Sequence, residues 1–295
     1  MRRFESCHPS HSCDSFLCLP ADLTGRGIAD HSKAMIQADP TDIPIRMAAT
    51  LVIVKDGVAG SAPQLLMAER ASSMAFAAGA MVFPGGAVDD ADKEHAQLLD
   101  LPFAMEDAAA RIAAVRETIE ECGLGVAAQS YLARNVIEDV RRSLAAGESF
   151  AHCMRIYGLE FDFEALTPFA RWCPPADRKM KRYDTRFYIA RADKGHEPPV
   201  ADGSETAALG WYSAQQVLDY ADAGKAKIIF PTRRNLERIA QHGTIDALLD
   251  HARAHPVELV TPWTEERNGE LHLCIPEGLG YPVTSQPVVQ AVRGD

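Results

Sequence analysis

Three glutamates share one face of a predicted helix and are suited to hold a divalent metal. Segment 116–124 reads RETIEECGL, which places Glu117, Glu120 and Glu121 at positions i, i+3 and i+4. Each helical residue advances by about 100°, so side chains at these separations project from the same side. Carboxylate oxygens are the ligands that Mg²⁺ and Mn²⁺ prefer, and these ions bridge to substrate phosphates. The cluster therefore predicts metal-assisted phosphate chemistry.

The same spacing also fits a charged helix face that binds only water. Like charges at i and i+4 each destabilise an exposed helix by about 0.2–0.5 kcal/mol, and acids near the C-terminal end oppose the helix dipole. Arg116 offsets part of this cost through its i+4 neighbour Glu120. For an isolated E-x-x-E-E pattern the solvated face is the commoner outcome, so the assignment depends on the surrounding sequence.

The elements around this helix predict a mixed α/β or α+β domain. Segment 47–54 predicts a buried strand, segment 64–68 its hairpin partner, and FPGG at 83–86 a glycine-rich loop. The helix itself is predicted over about 107–122, where acids occupy the first turn and Gly123 follows the last. The other predicted elements are a helix over about 131–145, strands at 186–190 and 208–212, a helix capped by Ser213, a helical stretch over about 232–254 broken near Gly243, and a hairpin through Asn268-Gly269.

Charge and composition exclude several classes of function. The net charge of −11 argues against nonspecific binding to nucleic acid, which needs a basic surface. No apolar run approaches the roughly eighteen residues of a membrane span. The seven cysteines include no C-x-x-C pair, which favours a reducing, cytoplasmic compartment over a disulfide framework or structural zinc site. H-E-x-x-H and G-x-S-x-G patterns are missing from the sequence, which argues against a zinc protease or a serine hydrolase.

The helix and the glycine loop together resemble the signature of the Nudix hydrolase family. The second half of that signature is R-E-U-x-E-E-x-G-U, where U is usually aliphatic, and segment 116–124 departs from it only at Thr118. The first half begins with the second glycine of a pair, which Gly85-Gly86 supplies. The resemblance extends in patches over about 48–281. It implies an α/β/α sandwich with a mixed sheet, to which this chain adds C-terminal helices and a hairpin.

An insertion of about sixteen residues separates the two halves of the signature. The family normally places a glutamate six residues after the glycine, where Asp92 stands here. The arginine normally follows the glycine by fourteen residues, whereas Arg116 follows it by thirty. The added residues fall within 93–107 and are expected to loop out. The insertion leaves the role of Asp92 open, with Glu106 or Asp107 as its substitutes.

The insertion points to a branch of the family that cleaves CoA and acyl-CoA. Arg70 and the loop at 83–86 stand at the spacing of an additional motif that CoA-cleaving members carry upstream. That motif also expects Ser or Thr where Ala71 stands and, in one branch, Arg where Ala75 stands. The insert-bearing branch, which is similar to the peroxisomal acyl-CoA diphosphatases of animals, also has stretches like RYDTRFY at 182–188.

The resemblance implies roles for individual residues. The expected ligands of Mg²⁺ or Mn²⁺ are Glu117, Glu120, Glu121 and the carbonyl of Gly86. Arg116 is expected to orient Glu117 by a charge-assisted hydrogen bond, while water attacks phosphorus and Glu117 or Glu205 accepts its proton. The residues expected to contact substrate are Arg70, Phe83, Gly85, Arg182 and Arg186. A surface salt bridge is an equally good interpretation for each arginine taken alone.

The expected reaction is hydrolysis of CoA or acyl-CoA to 3′,5′-ADP and (acyl-)phosphopantetheine. Two alternatives stay open: hydrolysis of ADP-ribose or another nucleoside diphosphate derivative, and a catalytically inactive Nudix module that binds a nucleotide as a regulator. The expected organisation is a flexible tail over 1–40, a Nudix domain over 41–256 with the insert at about 93–107, and a C-terminal hairpin and tail over 257–295. A homodimer formed through the insert or the hairpin is a further hypothesis.

Overall fold

The first long strand is buried on both of its faces. In the computed structural model, which describes residues 44–58, 60–72, 77–176, 182–192 and 197–291, strand β1 spans Ile45–Lys55. Leu51 and Ile53 enter one apolar cluster, whereas Val52 and Val54 enter a second one. Successive side chains of a strand point to opposite faces, so this sheet is covered on both sides. The predicted tail over 1–40 lies outside the described residues.

The central sheet is mixed, as predicted. Its other strands are β2 (Gln64–Arg70), β3 (Met81–Val82), β4 (Gly85–Ala87), β5 (Thr167–Trp172), β6 (Arg182–Arg191), β7 (Thr206–Ser213) and β8 (Leu259–Val260). The order is β3-β2-β1-β6-β5-β8, while β4 pairs with β1 and β7 with β2. The β1–β6 and β5–β8 pairs are parallel and the remaining pairs are antiparallel.

Helices cover the two faces of this sheet and complete the predicted α/β/α sandwich. They are α1 (Asp90–Leu98), α2 (Met105–Cys122), α3 (Arg134–Ala145), α4 (Phe150–Tyr157), α5 (Ala214–Asp222), α6 (Phe230–Ile239) and α7 (Ile245–Ala254). Buried residues of α1 to α4 join the cluster that contains Leu51, and those of α5 to α7 join the cluster that contains Val52. In the part of the chain that the structure describes, no helix has the length and apolarity that crossing a bilayer requires.

Local turn chemistry places several boundaries where the sequence predicts them. Ser213 caps α5 with a reciprocal pair of hydrogen bonds to Gln216, and the long helical stretch is interrupted between α6 and α7, around Gly243. Strands β9 (Trp263–Arg267) and β10 (Glu270–Cys274) flank Asn268-Gly269, whose φ angles of 54° and 81° suit a tight hairpin turn. The C-terminal part ends with β11 (Ser285–Pro287) and α8 (Val288–Ala291).

The inserted segment does not loop out as a whole, so that prediction is wrong for residues 93–98. These residues form most of α1, which begins with a capping box between Asp89 and Asp92. His95 and Ala96 are 7% and 2% exposed, because α1 packs with the helices on its face of the sheet. Only the short connection over 99–104 is irregular before α2 begins.

Candidate active site

The carboxylate helix α2 ends at Gly123, which adopts φ 63° and donates its N–H to the carbonyl of Ile119 at 2.9 Å. The opposite face of the helix carries an apolar stripe, since Ile112, Val115 and Ile119 are at most 1% exposed. The three acids differ in their exposure. Glu121 is 7% exposed, and the Glu117 and Glu120 side chains are 15% and 35% exposed. Glu121 and most of the Glu117 side chain are therefore shielded from solvent, whereas Glu120 keeps the largest exposed fraction of the three.

The glycine pair at the start of β4 lies directly against these two buried acids. The N–H of Gly85 donates to Oε2 of Glu121 at 3.1 Å. A Cβ atom on Gly86 would lie only 2.4 Å from Cδ of Glu117. The register that holds Gly86 beside Ala49 of β1 fixes this contact. Gly85 thus donates a hydrogen bond to Glu121. Gly86, which has no side chain, leaves room for the carboxylate of Glu117.

We expect Gly86→Ala to lower turnover about 10²-fold with little loss of stability, because the new methyl group must displace the Glu117 carboxylate. A misplacement of about 1 Å can cost this much in rate. The matched control is Gly243→Ala, since a Cβ there would meet no atom within 4 Å. Steady-state kinetics and thermal unfolding of both variants check this. Equal activities of the two variants would contradict a catalytic position for Glu117.

A buried arginine holds the acids in place. Nη1 of Arg116 donates to Oε1 of Glu117 at 2.9 Å and to Oε1 of Glu120 at 3.0 Å. The two predicted bonds from Arg116 are therefore present. On its other side, Nε and Nη2 donate to the two carboxylate oxygens of Asp92 at 3.1 and 2.9 Å, and Nη2 also donates to the carbonyl of Ala87 at 2.9 Å. Burial alone would lower the pKa of Arg116, but these carboxylates raise it above its usual value.

Asp92 keeps its place beside Arg116 despite the insertion, and its predicted substitutes lie elsewhere. Glu106 and Asp107 occupy the first turn of α2, eleven and ten residues before Glu117, or about 15 Å along the helix from the acid cluster of Glu117, Glu120 and Glu121. Nη2 of Arg186 donates to Glu106 at 3.1 Å. Asp92 stands six residues after Gly86, the spacing at which the family places its acid. This spacing was the feature of the sequence from which Asp92 could be identified as a site residue.

The predicted substrate-binding residues divide into two groups. Arg70 lies near the acids, since its charge acts on Glu121, and Gly85 contacts Glu121 directly. Arg182 instead donates to the carbonyl of Pro174 at 3.0 Å, and Arg186 pairs with the first turn of α2. The contacts that the structure gives these two arginines are not with the acid cluster, and their binding of substrate stays a prediction.

Phe83 does not line the acid cluster, and its prediction as a substrate contact is corrected. Its ring is 4% exposed and packs in the cluster that contains Val52, on the α5–α7 side of the sheet. The apolar ring gains more from burial in this core than from contact with a charged substrate. Trp172 belongs to the same apolar cluster as Phe83. It is 3% exposed and makes edge-to-face contacts with Phe230 and Tyr281.

A second loop brings further acids towards Glu121. The backbone N–H of Ala71 donates to the carbonyl of Glu205 at 2.8 Å, which fixes this loop beside the end of β2. The carboxylate of Asp202 accepts the N–H groups of Ser204, Glu205 and Thr206 and so orders the turn. The charges of Glu205 and Asp202 both act to raise the pKa of Glu121. Asp202 was not among the predicted site residues.

Burial makes two of the acids unusually basic. Desolvation raises the pKa of Glu117 to about 8, with added repulsion from Glu120 and Glu121, although Arg116 opposes the shift. Desolvation also raises the pKa of Glu121 to about 7, against the Gly85 N–H and the charge of Arg70. Burial and the neighbouring acids thus outweigh the stabilisation that Arg116 and Arg70 give to the charged forms. A cation at this place would relieve the repulsion.

The donor set fits a hard divalent cation, although the side chains do not stand ready around one point. Glu117, Glu120 and Glu121 offer only oxygen donors, which Mg²⁺ and Mn²⁺ accept. Among the described residues, no three His, Cys, Asp or Glu side chains converge closely enough to form a preassembled metal cluster. Arg116 draws one oxygen each of Glu117 and Glu120 towards itself. Binding of an ion therefore requires a rotation of these side chains.

We expect the stability of the metal-free protein to fall as pH rises from about 6.5 to 8.5. The folded chain retains protons on Glu117 and Glu121 that the unfolded chain, with an ordinary pKa of 4.5, has already lost. Stability is therefore present at low pH and is lost as pH rises through the folded pKa values, by on the order of 1–2 kcal/mol. Mn²⁺ should raise the melting temperature more at the higher pH, because metal competes with those protons.

Calorimetry of the protein with and without Mn²⁺ at the two pH values checks this. Glu117→Gln should flatten the pH dependence, whereas Glu138→Gln, an exposed change on α3, should preserve it. A melting temperature that Mn²⁺ leaves unchanged at both pH values would count against metal binding by these acids.

Comparison with known proteins agrees with this geometry. Residues 93–239 match the family model described as the NUDT19 Nudix domain. A curated relative from Gallus gallus, "Acyl-coenzyme A diphosphatase NUDT19", is 24% identical over 253 residues, covering 68% of this chain and 67% of the relative. The crystal structure of a Nudix hydrolase from Alicyclobacillus acidocaldarius is 27% identical, covers 71% of this chain and 97% of that one, and superposes with a TM-score of 0.62. The chain therefore belongs to the Nudix hydrolase family and is a Nudix diphosphohydrolase.

Proposed function

We propose that this Nudix enzyme hydrolyses the diphosphate of CoA or acyl-CoA in the cytoplasm, giving 3′,5′-ADP and (acyl-)phosphopantetheine. The observation that carries the chemistry is the packing of Glu117 and the buried Glu121 against the glycine pair, with Arg116 bonded to Glu117 and Glu120. The choice of substrate is supported by the relative that is named an acyl-coenzyme A diphosphatase. The four described cysteines are all free, which supports a reducing compartment.

Three carboxylates and one carbonyl are the proposed ligands of Mg²⁺ or Mn²⁺, namely Glu117, Glu120, Glu121 and Gly86. When bound, such an ion supplies Lewis acidity that polarises the phosphoryl oxygens. Arg116 bonds two of these carboxylates through a single nitrogen and so keeps them next to each other until an ion binds. Asp92 in turn fixes both other nitrogens of the guanidinium.

The hydrolytic step requires an acceptor for the proton of the attacking water. The water oxygen bonds to one phosphorus, the bridging P–O bond breaks, and its electron pair leaves with the departing phosphate. Glu117 is the first candidate for the base, because its carboxylate belongs to the group of acids on α2 and is already oriented by Arg116. Glu205 is the second, since it lies on the loop whose charge reaches Glu121.

The proposed phosphate-binding group nearest the acids is Arg70. Its charge acts on Glu121, so its guanidinium is placed to offset the negative charge of a phosphate bound there. Gly85 completes this side of the site through its backbone. Arg182 and Arg186 are proposed to contact parts of the substrate farther from the diphosphate.

A direct comparison of substrates tests the proposal. With Mg²⁺ or Mn²⁺ present, we expect kcat/KM for CoA or an acyl-CoA to exceed that for ADP-ribose at least about tenfold, which corresponds to 1.4 kcal/mol of transition-state discrimination. The products should be 3′,5′-ADP and phosphopantetheine, identified by mass spectrometry. If the enzyme cleaves ADP-ribose efficiently and leaves CoA intact, the proposed substrate is wrong, but the proposed type of reaction still holds.

A further inference from the structure

A cleft of about 400 Å³ lies between α1 and the first turn of α4, and the proposed reaction makes no use of it. It belongs to the same side of the sheet as the acids, because both helices contribute to the apolar cluster that α2 also joins. Its lining includes His95 of α1 and, in and just before α4, Glu148, Ser149, Ala151, His152 and Arg155. Its α1 side is built by the inserted segment.

His95 is the buried polar group of this cleft. Its side chain is only 7% exposed, and its Nδ1 atom has no hydrogen-bond partner among the described residues. The ring meets Phe150, the first residue of α4, edge-to-face at a centroid distance of 6.5 Å. An unmatched buried nitrogen costs about 1–3 kcal/mol. Because His95 also lines the cleft, a ligand there that reaches this nitrogen would offset that cost.

The N-terminus of α4 contributes donors to the same cleft. Ser149 caps the helix by accepting the N–H of His152 at 3.2 Å. The first-turn amides of Phe150 and Ala151 cannot bond within the helix, because the four leading N–H groups lack a partner one turn earlier. Together with the positive end of the helix dipole, such amides favour an anion. Ala151 lines the cleft.

Side chains at the rim add positive charge next to these donors. Nη2 of the exposed Arg155 lies 3.2 Å from Nδ1 of His152, so the guanidinium is held beside the cleft. Glu148 opposes an anion, since its carboxylate lies 3.9 Å from Nε2 of His152. Its side chain is 54% exposed, however, so solvent screens much of that repulsion. An anion thus meets one permanent cation, the helix end and a buried imidazole.

We propose that the α1/α4 cleft is a binding site for a phosphate group, held by the first-turn amides of α4, His95 and Arg155. Phosphate is favoured over a carboxylate because its several acceptor oxygens can meet donors from both helices at once. The phosphate is either free or part of the substrate; the second source rests on the proposed function. Asp92 lies one turn before His95 on α1 and holds Arg116, so the site adjoins the helix that supports the catalytic acids.

Titration with inorganic phosphate tests the site independently of catalysis. Phosphate is added to the ¹⁵N-labelled full-length protein at constant ionic strength, with chloride as the comparison anion. We expect saturable shifts of the Phe150 and Ala151 amide signals with phosphate and not with chloride. Arg155→Gln should weaken the affinity at least fivefold without disturbing the fold, since the side chain is exposed.

Two further variants complete the titration. His95→Asn should weaken phosphate binding to a similar degree. Arg253→Gln removes an equally exposed charge from α7 on the opposite face and should leave the affinity unchanged. Shifts that fail to saturate, or an affinity that Arg155→Gln leaves unchanged, would overturn the proposal and indicate nonspecific attraction of an anion.

Kinetics then identify the source of the phosphate. If it belongs to the substrate, Arg155→Gln should raise KM for CoA at least fivefold and leave KM for dephospho-CoA, which lacks the 3′-phosphate, unchanged. If free phosphate is the ligand, neither KM should change. Both results agree with the proposal, which the titration alone decides. An enzyme that cleaves neither compound would refute the proposed substrate and leave the titration result standing.

Discussion

Glu120→Gln should lower kcat of the metal-dependent reaction by about 10²–10³-fold and leave the fold intact. A lost metal ligand removes several kcal/mol of transition-state stabilisation, and each 1.36 kcal/mol corresponds to about a factor of ten. The glutamine amide keeps the shape of the side chain and one oxygen for Arg116, while it removes the charge. Because the Glu120 side chain is already 35% exposed, the change opens no cavity. The expected effect is therefore on activity, with little effect on stability.

Three measurements on this variant separate its effects. Steady-state kinetics give kcat and the Mn²⁺ concentration at half-maximal rate, calorimetry gives the metal affinity, and thermal unfolding gives the stability. Glu138→Gln serves as the matched control, since Glu138 is a helical and exposed glutamate on α3. Wild-type turnover in Glu120→Gln would remove Glu120 from the proposed metal site. Lost turnover with unaltered metal affinity would instead assign it to proton transfer.

The shared face of the three acids was predictable because helix geometry is local. Spacings of three and four residues fix which side chains are neighbours, whatever the rest of the chain does. The bond from Arg116 to Glu120 follows from the same geometry, because these residues are four apart. The bond to the adjacent Glu117 was expected from the family resemblance instead. Turn chemistry is equally local, which is why the break at Gly243 and the Asn268-Gly269 hairpin agree with prediction.

The burial of the acids could not be predicted, because it depends on β4, a strand that is distant from them in the sequence. Gly85 and Gly86 lie more than thirty residues before Glu121 and pack on the acids only because β4 pairs with β1. The short strand β3 also escaped prediction, since a two-residue segment carries no period and owes its existence to its partner strand. Phe83 was misassigned for a related reason. Its neighbours in sequence lie at the site, but its side chain points to the other face.

Asp92→Ala should destabilise the protein by about 3–5 kcal/mol, the usual cost of removing one partner from a buried ion pair. Asp92 is 2% exposed and its two oxygens accept Nε and Nη2 of Arg116. Oδ2 also accepts the N–H of Asp89, so the variant loses the capping box of α1 as well. For a domain of this size the melting temperature should fall by roughly 6–20 °C. Thermal unfolding followed by circular dichroism measures this.

A neighbouring acid on the same helix supplies the control. Asp90 belongs to the first turn of α1 and pairs with Lys93 at 2.7 Å, but its side chain is 90% exposed. Asp90→Ala should therefore leave the melting temperature almost unchanged, as expected for an exposed ion pair. Equal costs for the two variants would show that Arg116 finds other partners, and that α1 does not support the acids.

The activity of the same variants then decides what α1 contributes to the site. Without Asp92, Arg116 keeps Glu117, Glu120 and the carbonyl of Ala87 but loses the carboxylate that fixes Nε and Nη2. The guanidinium gains freedom to turn, and the two acids it holds turn with it. We therefore expect kcat of Asp92→Ala to fall about 10–100-fold, which is the usual effect of removing a residue that hydrogen-bonds to metal ligands or their supports. Asp92→Asn retains one acceptor oxygen, so its kcat should fall less. If kcat is measured well below the melting temperature of each variant, instability cannot account for the loss. Unaltered kcat in a destabilised Asp92→Ala would confine α1 to a structural role.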